Sequence, residues 1–465
     1  MAENPATTPD ARDAIDIASF IDGQPVGRFQ IQMLLTCAAV LFIDGFDTQA
    51  IGYVAPAVAQ DWKLARGALG PVFGAGLFGL MIGALVFGPI ADRIGRRRII
   101  ILCTAAFGVG TLATIFASDV PGLMTIRFLT GLGLGGAMPN AVALTSEFSP
   151  HRRRATMVMT MFCGFVVGAA TGGLLAAALI PAFGWRAVFV VGGVMPLLLV
   201  LFLAVWLPES VRFLALSGRA SDGVAALLAR IAPSVRHPTG TRFVVQEIKL
   251  PGIPVVHLFG GGRAWASLFL WALFFMSLLD LHLLSNWLPT VLNELGASVS
   301  VAAIIGSMLQ VGGIVGTFAL GKFIDRFSFR ALALTYGVAA VAVAAIGFSG
   351  HSIALTTIAI FCAGFCVVGG QGGSNALSAT LYPTAIRSTG VGWALGIGRV
   401  GSIIGPLVGG MMLAAQMSSQ SVFVAAAVPA LCASLAAYAL SRLAREQEST
   451  EPATGAVPLT PGSIP

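Results

Sequence analysis

About twelve apolar runs of roughly 20 residues or more order this 465-residue chain: near 30–57, 67–91, 99–117, 121–147, 155–181, 186–207, 265–291, 298–320, 331–349, 352–382, 388–414 and 420–440. A helix of about 20 apolar residues crosses the hydrocarbon core of a bilayer. Strands of a membrane barrel would be half as long and would alternate in polarity. The chain therefore reads as an all-α membrane protein. Only 10% of its residues are charged and its mean hydropathy is +0.88, against about 25% charged in a soluble domain.

The start, MAENPATTPDARDAIDIASFIDG, is polar and acidic, without the basic start and short apolar core of a signal peptide. The end, EQESTEPATGAVPLTPGSIP, has the composition of a disordered segment. Six cysteines are scattered through apolar runs. Cys362 and Cys366 share a helix face and read as packing residues; no metal or cofactor is expected.

The formal charge of +7 fits topology better than nucleic acid, since no basic patch is interleaved with aromatics. With twelve spans and a cytoplasmic N-terminus, 22 of the 27 Lys and Arg fall on the cytoplasmic side and three, Lys63, Arg66 and Arg186, on the other. Arg127 and Arg399 lie inside spans. This asymmetry is the positive-inside pattern, so both termini are expected in the cytoplasm.

The two halves repeat at a shift of 233 residues. Asp92-Arg93 matches Asp325-Arg326; Gly79, Gly83 and Gly88 match Gly312, Gly316 and Gly321; Pro150 and Arg154 match Pro383 and Arg387; Gly168 matches Gly401; Asp47 and Pro56 match Asp280 and Pro289. The expected layout is a cytoplasmic tail (1–27), a six-helix half (28–207), a cytoplasmic linker (208–264), a second six-helix half (265–443) and a disordered tail (444–465). Transporters built this way bind substrate between the halves near mid-membrane.

Charges inside such spans are costly, about 2.5–3.5 kcal/mol each on insertion scales, and mark function or pairing. FIDGFDTQAIGYVAP, residues 42–56, places Asp44 and Asp47 three apart, on one helix face. Two neighbouring carboxylates disfavour double ionisation, which suits proton coupling or a substrate site; the alternative is that one of them is structural, holding a nearby helix by hydrogen bonds. Arg399, in ALGIGRVGSIIGP, is expected to pair with Asp44 or Asp47 or to bind a substrate carboxylate through two parallel hydrogen bonds. For Arg127, nearer the outer end of its span, helix packing, snorkelling and substrate binding all stand. Asp280 and His282 lie in the seventh span; being two apart, they do not share a face. Trp287, Gln310, Asn375 and Trp393, with Asn286 and Gln371, are candidates for binding an aromatic ligand or for helix packing. Glu147, before HRRR, reads as part of a cytoplasmic charge network.

Several motifs resemble one family. GALVFGPIADRIGRRR (83–98) resembles the signature loop of the major facilitator superfamily, and GTFALGKFIDRFSFR (316–330) a degraded second copy. RFLTGLGLGG (127–136) resembles its fourth-helix pattern; WLPES (206–210), followed by Arg212, resembles its end-of-sixth-helix motif. The resemblance implies a twelve-helix fold and a conformational latch at Gly88, Asp92, Arg93, Gly95, Arg96 and Arg97. DGFD, with Asp44, Gly45 and Asp47, resembles the aromatic acid:proton symporter family, nearest to its hydroxybenzoate and protocatechuate carriers. That implies a monomeric inner-membrane importer of a small aromatic carboxylate and protons. A proton-driven exporter or exchanger of another organic anion is the rival reading, a transporter-like receptor the second. No nucleophile–base or metal constellation supports an enzyme, and no GxxxxGK[ST] loop supports ATP as the energy source.

Overall fold

The computed structural model describes residues 14–450, apart from 218–220, 234, 236–240, 245–254, 261, 350–351 and 383–385. The last fifteen residues of the expected tail, Pro383 and the first thirteen residues lie outside the described residues, as does the Asp325 side chain.

Twelve long helices build the molecule: α1 (Arg28–Asp61), α2 (Gly70–Ile94), α3 (Arg96–Ala113), α4 (Val120–Phe148), α5 (His151–Phe183), α6 (Arg186–Trp206), α7 (Ala264–Glu294), α8 (Val299–Phe327), α9 (Phe329–Phe348), α10 (Ile353–Ser378), α11 (Arg387–Ala414) and α12 (Ser419–Thr450). Caps separate them. Asp119 accepts from the Gly122 N–H at the start of α4, and Ser298 and Ser352 do the same for α8 and α10. Between α2 and α3, Gly95 adopts φ 104, a conformation open to glycine.

Among the described residues, eleven of these twelve helices are long and apolar enough to cross a membrane. The exception is α4. It has 29 residues, enough at about 1.5 Å per residue, but Arg127, Asn140, Glu147 and its glycines dilute its hydropathy. It packs against both α2 and α3, so protein rather than lipid meets those residues.

The repeat is visible in the packing. In the first half α2 pairs with α4 and α1 with α5; in the second, α8 pairs with α10 and α7 with α11. Glycines set each approach. A methyl added at Gly79 would run into the Phe128 carbonyl, and one at Gly312 into that of Phe361. Gly83 meets Leu132 and Gly316 meets Phe365; Gly168 meets Phe42 and Gly401 meets Phe275. Each pair of partners is again 233 apart.

The halves join through α2 with α11 and α5 with α8. Their close contacts gather at the end away from the termini. Gln60 donates to Asn293 at 2.9 Å, Arg66 pairs with Glu294 at 2.5 Å, and Phe73 meets Trp287 edge-on at 5.0 Å. Gly52 lies against Ser285 and Asn286, and Gly70 against Gly410. At the opposite end a methyl at Gly88, Gly321, Gly392 or Gly396 would meet nothing. Among the described residues the halves thus close on each other at the far end, while the termini end is the more open of the two.

Two segments read as tail and linker carry structure. Ala14–Asp16 forms β1, paired in parallel with Arg242–Val244 (β2). The helix Ile17–Asp22 follows, capped by Asp16, with Ile17 and Ile21 buried. Those two apolar residues hold it on the first half, and Asp22 accepts from the His151 N–H. At the other terminus α12 continues past residue 443 to Thr450.

Candidate functional site

Asp44 and Asp47 are both fully buried in α1, yet their surroundings differ. Arg127 on α4 reaches Asp47 with two nitrogens, Nη2 to Oδ2 at 3.0 Å and Nη1 to Oδ1 at 3.2 Å, and Nη2 also donates to the Asp47 carbonyl. Thr111 on α3 donates to Oδ1 at 2.6 Å. Asp47 is therefore a satisfied ion pair inside the first half. Such a fork-shaped contact fixes both partners. Arg127 does not snorkel: only 3% of it is exposed.

Asp44 keeps one oxygen free. Thr48 donates to its Oδ1 at 3.2 Å, while the buried Oδ2 has no hydrogen-bond partner. Arg399, the arginine inside a span of the second half, lies on α11. Arg399 is half-buried and turns its Nη2 toward the Met138 sulfur on α4, at 3.6 Å. Among the described residues it has no ion pair. Its donors stay available where the two halves converge.

The other candidates divide by position. Trp287 donates to the Pro406 carbonyl at 2.8 Å and packs on Phe73, so it sits in the far-end closure. Gln310 donates to Ser285 at 3.3 Å, joining α8 to α7. His282 turns Nδ1 to the Leu278 carbonyl and Asn286 donates to the His282 carbonyl. Asn375 accepts from Gln371 at 3.4 Å and is exposed. Trp393 is 44% exposed and stacks on Trp271 at 5.7 Å. Asp280 is buried with neither oxygen partnered. A cavity of about 20 Å³ lies between Thr48, Phe73, Arg127 and Asn286, room for about one water.

The expected loop Gly88–Arg98 is helical, the end of α2 and the start of α3 joined at Gly95, and it is anchored on its own half. Arg96 pairs with Glu147 at 2.8 Å, Ser210 donates to the same carboxylate, and the Arg97 N–H donates to Glu209 at 3.1 Å. This is the charge network expected for Glu147. A side chain at Gly95 would collide with the Glu209 carboxylate. Asp92 touches Arg96 at 3.4 Å and its side chain is 68% exposed, facing the open end. Gly88 and Arg93 stand on the same open rim of α2.

The family model described as Major Facilitator Superfamily matches residues 37–289 and 270–463. The 4-hydroxybenzoate transporter of Pseudomonas putida is 42% identical over 91% of this chain and 95% of its own. The chain belongs to the major facilitator superfamily. Within it, it falls in the aromatic-acid transporter family; the gallate transporter of Pseudomonas putida is also 40% identical, over 91% of this chain and 95% of its own. The solved structure of a bacterial homolog of the human lysosomal transporter Spinster, inward-facing and unoccupied, aligns with TM-score 0.69 at 20% identity, covering 90% of this chain and 98% of that one. It shares the fold. This major facilitator is a multi-pass membrane transporter, not an enzyme.

Sequence reasoning missed Thr111, Met138 and a cluster of Ser277, Tyr336 and Ser374. Thr111 and Tyr336 lie in apolar runs with nothing to mark them. Ser277 had a signal: it precedes Asp280 by three residues and so shares its face.

Proposed function

We propose that this transporter imports a hydroxylated benzoate-type acid together with protons across the bacterial inner membrane, with both termini in the cytoplasm. The observation that carries the reading is that Arg399 on α11 is half-buried and has no ion pair among the described residues, while Asp44 on α1 of the other half keeps one buried oxygen without a partner. A carboxylate entering between the halves would take the Arg399 fork. With Arg399 so engaged, a proton on Asp44 removes the charge there. The names of the relatives support a phenolic acid; the excess of Lys and Arg at the termini end supports the orientation. The Asp47–Arg127 pair would hold α1 against α4 while this exchange occurs. When the open end closes, Asp92 and the loop around Gly88, Arg93, Gly95, Arg96 and Arg97 would reach the second half as a latch.

The test is uptake of labelled 4-hydroxybenzoate into proteoliposomes under an inward proton gradient. Accumulation should occur and should collapse with a protonophore. Arg399→Lys should weaken binding by about tenfold or more, since losing a charge-assisted bond costs about 1.5–3 kcal/mol. Asp44→Asn should bind but no longer accumulate. Accumulation that follows sodium rather than protons overturns the coupling; accumulation of neither 4-hydroxybenzoate nor gallate overturns the substrate class.

A further inference from the structure

One buried acid lies outside that exchange. Asp280 on α7 is 1% exposed and neither of its oxygens has a hydrogen-bond partner. It is the repeat equivalent of Asp47, but the positions equivalent to Thr111 and Arg127 are Ala344 and Ile360. The second half keeps the carboxyl and lacks its counter-charge. An unpaired carboxylate in such a place costs several kcal/mol, and a proton is the simplest way to neutralise it.

A hydrogen-bonded path starts beside it. One turn before Asp280, Ser277 meets the Tyr336 hydroxyl of α9 at 2.7 Å and donates to Gln371 of α10. Tyr336 also meets Ser374 at 3.2 Å. Gln371 donates to Asn375, which is exposed toward the open end. The other titratable neighbours do not neutralise Asp280. On α11, Arg399 forms no ion pair among the described residues and turns to the Met138 sulfur; on α1, Asp47 is held by Arg127. The elements α10 and α12 bring the thiols Cys366 and Cys432, and α8 carries charges only at its termini end. The helix itself must move, because its far end closes on the first half through Asn286, Trp287 and Glu294.

We propose that Asp280 is a second proton-binding carboxyl of this transporter, working beside Asp44. The carboxylate takes one H⁺ to become a carboxylic acid when the far end opens. It gives that proton up when the termini end opens and water reaches it from that side. The inference rests on the proposed proton symport and deepens it. Two protons with one monovalent anion carry one net positive charge inward, so the membrane potential drives uptake.

The experiment imposes an inside-negative potassium diffusion potential on proteoliposomes, without a pH gradient, and reads accumulation of labelled 4-hydroxybenzoate. Wild type should accumulate about tenfold for each ~59 mV, the value for one net charge. Asp280→Asn should lose this response while still accumulating substrate under a pH gradient, and Asp280→Glu should recover it. Equilibrium binding of 4-hydroxybenzoate to each variant establishes that it is folded. Wild type driven by a pH gradient but indifferent to potential overturns the second site whatever the variants do, and leaves the one-proton reading standing. An Asp280→Asn protein with the full response to potential also overturns it. Indifference of wild type to both gradients removes proton symport itself.

Discussion

Asp47 and Asp280 occupy equivalent places in the two halves, each buried mid-helix, and only one is paired. Around them the backbone packing is the same: Gly168 against Phe42 in the first half, Gly401 against Phe275 in the second. The scaffold therefore repeats and the charges do not. Close helix approach is a demand of geometry that both halves share, and small residues meet it wherever two helices touch. A counter-charge answers the needs of one carboxyl, so it follows what that carboxyl does. Asp47 is locked by two guanidinium nitrogens; Asp280 has no such partner, and a proton is the simplest way to neutralise it.

The sharpest way to break this comparison is to remove the charge from each aspartate in turn. Asp47→Asn leaves the Arg127 guanidinium buried at 3% exposure without its anion. Losing one partner of a buried pair costs about 3–5 kcal/mol, so the variant should show a large fall in thermal stability in detergent and poor yield. Asp280→Asn strips no partner and should unfold within about 1 kcal/mol of wild type. Equal losses for the two, read by the same thermal assay, would mean that Asp280 has a hidden partner and that the asymmetry is false.

A second, smaller effect tests the part that is repeated. Gly168→Leu and Gly401→Leu each force a side chain into a facing carbonyl, and overpacking of this kind costs about 1–3 kcal/mol. The two should be destabilised to similar extents, because the same contact is spoiled in each half. Gly321→Ala, with open space around it, should instead be neutral or gain up to about 1 kcal/mol from helix propensity. Unequal costs at Gly168 and Gly401 would show that the halves are packed less alike than the glycines suggest.

Most of the fold was legible because membrane helices announce themselves. The length of the apolar runs, the spaced glycines and the Pro56–Pro289 correspondence gave the twelve helices and their division into halves. What was legible of the site was its cast rather than its pairing. Sequence named Asp44, Asp47, Arg127 and Arg399 by their cost in hydrocarbon, yet offered Arg399 as a partner for either aspartate. Whether Arg127 or Arg399 meets Asp47 depends on the rotation of α4 and α11 about their axes, and charge content says nothing of that. Thr111 was invisible for the same reason: one hydroxyl in an apolar run, made important only by the neighbour it faces. The folded start, Ala14–Asp22, was hidden by its acidic composition, which outweighed the two isoleucines that dock it.

The smallest effect concerns the one ion pair that, among the described residues, joins the halves at their closed end. Arg66 and Glu294 form a two-pronged pair with side chains 31% and 26% exposed. The Glu294 hydrogen bond lifts the Arg66 guanidinium further above its already high ordinary value. A raised value means that the contribution is fully present below it and is lost only as pH rises through it. That range lies far above any working pH, so the arginine side of the pair adds no pH dependence to transport. Salt should act instead, since partly exposed charges are screened over about 10 Å at 0.1 M. Exposed pairs contribute about 0–1 kcal/mol, so Glu294→Gln should shift the balance toward a far end that opens by a factor of a few at most. Substrate arriving from outside binds only the form open on that side, and its apparent affinity scales with the fraction in that form. Glu294→Gln should therefore lower the apparent Km for external 4-hydroxybenzoate slightly at low salt, with the difference fading at high salt. A raised Km, or a difference that salt leaves untouched, would mean that the pair orders the far-end loops without holding the halves together.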